Sequence, residues 1–210
     1  MQNRAKCGTC GCAKGKRVEI VAHAKLPTEF GKFTVYAFCN NIDGEEHVAI
    51  VKGDVKGKAV VPLRIHSECL TGDVFHSLRC DCHAQLVAAM QKFSKLPCGV
   101  ILYLRQEGRG IGITNKIRAY ALQDRGLDTV QANHALGFPS DMRTYDAAAE
   151  MVRELGIKSI ALVTNNPAKM EDLRAHGVKI VKRVPHEFGK TKYNAGYLAV
   201  KKKKMRHLLS

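Results

Sequence analysis

The hydrophobic rhythm of this chain changes once, near residue 81, and that change limits the folds open to it. Before it, Val18–Val21, Phe33–Phe38, His47–Val51 and Lys58–Ile65 are β-branched or alternating, with turn signals at Gly31, Asn41-Ile42-Asp43-Gly44 and Lys52-Gly53-Asp54. Such segments read as strands joined by short turns. After it, Leu86, Val87, Met90 and Phe93 recur at helical spacing. A strand at Gly99–Leu104, helices near Lys116–Arg125 and Tyr145–Leu155, a strand at Ser159–Val163, a helix at Pro167–His176 and a strand at Val178–Val184 follow. A closing helix is expected over Ala195–Leu209. Strands alternating with helices form parallel sheets covered by those helices. The expected class is α/β: a mixed sheet with an N-terminal antiparallel β section and a C-terminal, largely parallel, helix-flanked sheet. At 210 residues this amounts to one domain with its own core.

The net charge of +15 invites a nucleic-acid reading until its distribution is followed. Residues 1–17 carry five basic groups and no acid, and residues 182–207 carry nine against Glu187 alone. The body between them is nearly balanced, with 20 basic and 18 acidic groups. A nucleic-acid-binding face needs its basic groups on the folded body, so no nucleic-acid partner is expected. The division expected is a basic, cysteine-containing extension at 1–16, a domain at 17–200 and a basic tail at 201–210 that includes Lys201-Lys202-Lys203-Lys204. Such ends are solvated charge runs whose field speeds the arrival of an anionic substrate. The longest apolar run, Val100–Leu104, is far too short to span a bilayer, and residues 1–20 contain no apolar signal core. A cytoplasmic protein without membrane contact is expected.

Eight cysteines without a secretion signal point to metal or reactive thiols rather than disulfides. Cys39 and Cys98 stand alone beside apolar runs, as small core residues do. Cys7-x2-Cys10-x-Cys12 has no histidine near it and reads as an adventitious terminal segment. Cys69-x10-Cys80-x-Cys82 supplies three soft ligands of the kind zinc takes. A histidine, His66, His76 or His83, would close the set as a structural site, whereas three ligands alone leave a position for water. Glu68 adjoins Cys69 as a proton shuttle, and Gln85, three residues after Cys82, shares its helix face. Cysteine-held zinc beside a glutamate is also how nucleobase deaminases attack a ring carbon, and opening a purine at C8 would be analogous.

Other segments carry anion chemistry. Arg105-Gln106-Glu107-Gly108-Arg109-Gly110-Ile111-Gly112 follows a strand, its glycines allow close backbone approach, and Arg109 forks onto phosphate. Glu107 suits the N1–H and amine edge of a guanine; the plainer reading is a glycine-rich turn with an ion pair. In Leu162-Val163-Thr164-Asn165-Asn166-Pro167-Ala168-Lys169, Asn166 caps a helix opened by Pro167. Lys169 then lies in the first turn, where the dipole disfavours a cation unless an anion binds. Thr164 and Lys169 read as a phosphate site or, more plainly, as a cap with an exposed lysine. Asp141 and Arg143 alone read as a solvated pair near a helix start, and Tyr120 as helix packing.

Taken together, Arg64-Ile65-His66-Ser67-Glu68-Cys69-Leu70-Thr71-Gly72-Asp73, Ser77-Leu78-Arg79-Cys80-Asp81-Cys82, Arg105-Gln106-Glu107-Gly108-Arg109, Asn115-Lys116-Ile117-Arg118-Ala119-Tyr120, Gln131-Ala132-Asn133-His134 and Leu162-Val163-Thr164-Asn165-Asn166-Pro167 resemble GTP cyclohydrolase II over roughly residues 17–209. That family converts GTP and water to formate, pyrophosphate and 2,5-diamino-6-(5-phosphoribosylamino)pyrimidin-4-one, opening riboflavin biosynthesis. The resemblance implies one catalytic Zn2+ on Cys69, Cys80 and Cys82. It implies GTP contacts at Arg64, Ile65, His66, Ser67, Glu68, Gln85, Glu107, Gly108, Arg109, Thr129, Thr164 and Lys169. It makes Asp141 a proton acceptor, Arg143 a nucleophile and Tyr120 a catalytic residue, with Mg2+ on the triphosphate and a homodimer as the working form. The dihydroxybutanone-phosphate synthase domain fused in many relatives is missing, so a monofunctional enzyme is expected. The competing readings are a relative that stops at a formylated product and a zinc-dependent nucleic-acid-binding module.

Overall fold

β1 (Val18–Thr28) and β2 (Gly31–Asn40) form a hairpin, with Gly31 at φ 127° closing a turn that Thr28 Oγ1 braces by accepting from the Phe30 amide. β1 is an edge strand, exposed from Val21 to Lys25 and carrying Pro27, as a strand that must not recruit another chain should be. β3 (His47–Lys52) adds antiparallel to β2 and buries alternate residues. This computed structural model describes residues 17–189 and 191–208, so Cys7, Cys10 and Cys12 lie outside the described residues.

β4 (Val61–Ser67), β5 (Gly99–Leu104) and β6 (Ile160–Val163) are buried along nearly their whole length, as strands covered on both faces must be. The seven strands run in the order β1-β2-β3-β5-β4-β6-β7, with β7 at Ile180–Val184. Pairings are antiparallel from β1 through β3 to β5 and parallel from β5 through β4 and β6 to β7, giving the expected mixed α/β sheet. One face packs on α5 (Asp146–Glu154) and α6 (Pro167–Ala175) through Leu63, Ile65, Leu102, Met151, Leu162 and Leu173. The other packs on α2 (Cys82–Ser94) through Ile101, Ala89, Phe93 and Val163.

The chain leaves β4 for β5 on one side and later returns to β6 on the other, so the strand order reverses beside β4. Ligands of open α/β sheets bind where such a reversal opens a crevice at the carboxyl ends of the strands.

Several expectations shift. The strand expected from Lys58 starts at Val61, because Val60 takes a left-handed turn at φ 56°. Besides α3 (Gly112–Gln123), the chain forms the short helices α1 (Leu70–Asp73) and α4 (Thr129–Ala135). Cys39 is buried at the end of β2 and is disulfide-bonded, against the expectation of free thiols. The boundary expected at residue 200 falls inside α7 (Ala195–Lys204). No helix among the described residues is long and apolar enough to cross a membrane.

Candidate active site

Cys69 follows β4, Cys82 opens α2 and Cys80 lies in the loop between, so the switch-point strand and the helix after it bring three sulfurs together. The Sγ atoms lie within 4.8 Å of one another, with Cys69 and Cys80 3.7 Å apart. Gly72 makes room for them: a Cβ there would stand 2.9 Å from the Cys80 Sγ and 3.0 Å from the Cys69 Sγ. Lys116 of α3 points its Nζ to the Cys69 Sγ at 3.1 Å and to Glu107 Oε1 at 2.8 Å. Hydrogen bonding from the neighbouring thiols and the Lys116 cation holds the Cys69 thiol far below its ordinary range. Burial works against the Lys116 charge, but Cys69 and Glu107 more than restore it and raise its pKa. The Tyr120 hydroxyl, one helical turn on, faces Thr71 Oγ1 at 3.5 Å, and burial pushes its pKa up to about 12.

The histidines that might have closed the cluster are engaged elsewhere. His66 donates from Nε2 to Asp73 at 3.0 Å, a carboxylate that also accepts from Tyr103 Oη at 2.9 Å and from the Cys69 amide at 3.1 Å. His76 and His83 lie against each other, ring centroids 3.9 Å apart. Among the described residues the donor group is three cysteines alone, an arrangement that holds a soft divalent metal and leaves a position open.

A polar row crosses one wall. Lys201 donates to Asp81 Oδ1 at 2.7 Å, Gln85 Nε2 donates to Asp81 Oδ2 at 2.5 Å, and Arg64 Nη2 donates to Gln85 Oε1 at 2.5 Å. Arg64 Nε is buried without a partner, and burial lowers the pKa of this guanidinium to about 10. Gln85, expected beside a metal, is thus held between Asp81 and Arg64. Glu68 lines the cavity, and its carboxylate accepts from Arg105 Nε at 3.4 Å.

The opposite end is cationic. Gly108, Arg109 and Gly110 are all left-handed, at φ 61°, 62° and 89°; a Cβ on Gly110 would stand 3.2 Å from Met142 Cβ, so this turn packs tightly on the 141–143 loop. Arg109 gives Nη1 to the Ser140 carbonyl at 3.3 Å and leaves Nη2 buried and unpartnered. Arg143 forks onto Asp141, with Nε to Oδ1 at 2.9 Å and Nη2 to Oδ2 at 2.6 Å, and gives Nη1 to Ser67 Oγ at 3.3 Å. Burial opposes both charges, but the pairing prevails, raising the Arg143 pKa and lowering that of Asp141. Asn166 caps α6 as expected, accepting from the Ala168 amide. Lys169 is not the exposed lysine of the plainer reading: it is 9% exposed and donates to the Ile65 carbonyl at 2.9 Å. Burial and the Arg143 and Arg64 cations push its pKa well down.

Every residue expected from the sequence to hold substrate or metal lines this one cavity, as do Tyr120 and Arg143, while Asp141 stands behind Arg143. Glu107 is the most committed of them. It accepts from the Leu70 amide at 2.6 Å, the Gly108 amide at 2.7 Å and Lys116, which takes three of about four acceptor positions. Among the lining residues that escape the sequence reading are four from the C-terminal segment, Tyr197, Lys201, Met205 and His207. Tyr197 and Lys201, four apart, share a face of α7, a spacing visible in the sequence beneath the lysine run. The segment is anchored where Asn194 Nδ2 donates to the Gly189 carbonyl at 2.6 Å and to the Cys80 carbonyl at 3.3 Å. Lys201 is therefore part of the cavity wall and not of a solvated tail.

Known proteins resemble this chain over most of its length. The family model described as GTP cyclohydrolase II matches residues 19–185. A GTP cyclohydrolase-2 from Picrophilus torridus is 51% identical over 191 residues, covering 91% of this chain and 99% of that protein. One from Actinobacillus succinogenes is 51% identical over 193 residues, covering 92% and 89%. A riboflavin biosynthesis protein RibBA from Endomicrobium trichonymphae is 50% identical over 194 residues, which are 92% of this chain and 48% of that one. A two-domain 3,4-dihydroxy-2-butanone 4-phosphate synthase from A. baumannii, RibBX, overlays on 72% of this chain and 35% of its own with a TM-score of 0.42 and 19% identity, a likeness too slight to bear on activity.

Proposed function

From the premise that the chain belongs to the GTP cyclohydrolase II family, we propose that it opens the guanine ring of GTP at the cysteine end of its cavity and releases pyrophosphate at the arginine end. The products on this reading are formate, pyrophosphate and 2,5-diamino-6-(5-phosphoribosylamino)pyrimidin-4-one. The observation that carries it is the joining of the two ends: three convergent thiols and a cluster of Arg109, Arg143 and Lys169 line one cavity at the strand switch point. The 3.7 Å between two of the sulfurs supports zinc, since tetrahedral bonds of about 2.3 Å set sulfurs just under 4 Å apart. Held by Cys69, Cys80 and Cys82, zinc supplies the Lewis acidity that activates water at neutral pH.

The chain's own residues do the remainder. Lys116 keeps Cys69 in its thiolate form, and Tyr120, protonated at neutral pH, offers a hydrogen-bond donor beside the cluster. Glu68 carries protons to and from the ring as it opens. The unpartnered Nη2 of Arg109 and Nε of Arg64 are donors ready for anionic or carbonyl oxygens. Thr129, Thr164 and Lys169 line the remainder of the nucleotide path, and Mg2+ accompanies the triphosphate. In the nucleophilic role, an Arg143 nitrogen bonds the α-phosphorus as the bond to the bridging oxygen breaks, and its proton passes to Asp141 Oδ2, 2.6 Å away. The pair holds Arg143 protonated at rest, which favours a second role, stabilising charge on the phosphoryl group without a covalent bond. Intact-mass measurement during turnover separates the two, because only the first adds a nucleotide to the chain. The working form on this reading is a cytoplasmic homodimer with no nucleic-acid partner.

The test is the product balance. GTP should yield formate and pyrophosphate in equal amounts, with the pyrimidine identified by mass spectrometry; a formylated pyrimidine with no free formate would show that the reaction stops early. Gly72→Ala should cut zinc affinity at least tenfold in a chelator competition, because the added methyl meets two sulfurs. Undiminished affinity would place the metal elsewhere.

A further inference from the structure

The matched family region ends at residue 185, yet the chain beyond it closes the cationic end of the cavity. After α7, Arg206 adopts φ 55°, a left-handed turn that residues with a Cβ disfavour. The His207 amide returns to the Lys201 carbonyl at 3.0 Å, and the Leu208 amide reaches the Asn165 carbonyl at 2.8 Å beside β6. This double anchor turns the His207 ring into the cavity, where its Nε2 is buried and without a partner. Lys201, Lys169, Arg143 and Arg109 line the same cavity, and their fields reach the ring. Burial above all, and then these groups, hold the imidazole neutral, its pKa pushed down to about 3. Tyr197 braces two of these cations, Lys201 and Arg109 lying 4.5 and 5.7 Å from its ring centroid. A buried, unpartnered nitrogen in a cavity lined by basic groups is costly unless a ligand joins them.

We propose that His207 is a substrate-binding residue that donates from Nε2 to a phosphate oxygen of the bound nucleotide, so that the C-terminal turn supplies one wall of a polyphosphate subsite. The inference rests on the reading of GTP as substrate. It adds that affinity for the polyphosphate, rather than for the base, depends on this turn.

Inorganic tripolyphosphate and guanosine serve as separate probes, titrated against the zinc-loaded full chain. His207→Ala should bind tripolyphosphate about tenfold more weakly and guanosine unchanged, the size expected for one hydrogen bond to a charged group. The KM for GTP should rise by a similar factor, with kcat moving far less. His207→Gln, which restores a donor, should recover most of the loss. His207→Leu, which keeps the volume and removes the donor, gives the same reading should the alanine variant fold poorly. Unchanged tripolyphosphate affinity, or equal loss of both probes, would overturn the proposal. Failure of the wild-type protein to turn over GTP would instead refute the proposed function, and the tripolyphosphate comparison would still judge this subsite.

Discussion

Pyrophosphate release from GTP should fall about a thousandfold or more when Arg143 is replaced by alanine, the scale on which loss of a nucleophile or of a preorganised charge is felt. The fork onto Asp141 and the contact with Ser67 fix the guanidinium in one orientation, so no neighbouring arginine can take its place. Arg143→Lys distinguishes the roles, since lysine keeps a point charge but loses the planar fork. A charge-stabilising Arg143 would leave part of the rate in the lysine variant, whereas a nucleophile held by its fork would leave almost none. Formate measured in the alanine variant orders the two halves of the reaction. Formate alongside intact triphosphate would make them independent, and its loss would place ring opening after attachment of the nucleotide. Vigorous pyrophosphate release by a well-folded Arg143→Ala protein would refute the assignment.

Cys82→Ser should act on the other half. With one of three sulfurs gone, zinc should be lost and formate release should fall by about three orders of magnitude or more. Pyrophosphate release can survive, because Arg109, Arg143 and Lys169 are held by Ser140, Asp141, Ser67 and Ile65 rather than by the sulfurs, and the product would then be GMP. Metal analysis with formate and pyrophosphate measured separately decides it; full formate release from a metal-free variant would show that the cysteines are not the catalytic end.

What the sequence reveals of this molecule follows the range of the forces involved. Alternation and helical spacing report burial, so β2, β3, β5 and α2 are legible from residues such as Phe33, Val51, Ile101 and Phe93, which fill the two cores. α4 is too short for its spacing to announce it, although Asp128 and Gln131 form a capping box that the sequence displays. The three cysteines are legible because soft donors at close spacing have few other uses. Lys116 was not, because its partners Cys69 and Glu107 lie 47 and 9 residues away and only the folded sheet brings them together. The C-terminal segment misled for a related reason: a run of lysines reads as a solvated tail whatever one of them meets. Lys201 meets Asp81, 120 residues away, a pairing that no local pattern announces.

The position of β4 between β5 and β6 has a consequence for how the chain is made. Val61 of β4 faces Ile160 of β6, and Leu63 faces Val100 of β5, so the strand carrying Arg64 to Ser67 emerges from the ribosome long before either neighbour. Until then the first three strands form a meander with the β3 edge open, a template for pairing with other nascent chains. The cavity is correspondingly the last region to be completed, since its final wall is delivered by residues 195–208. A product truncated between Cys82 and β6 would carry all three cysteines and yet lack the parallel strand that pairs with β4 at the switch point. Heterologous production should therefore reward slow synthesis at low temperature more than a higher yield of message.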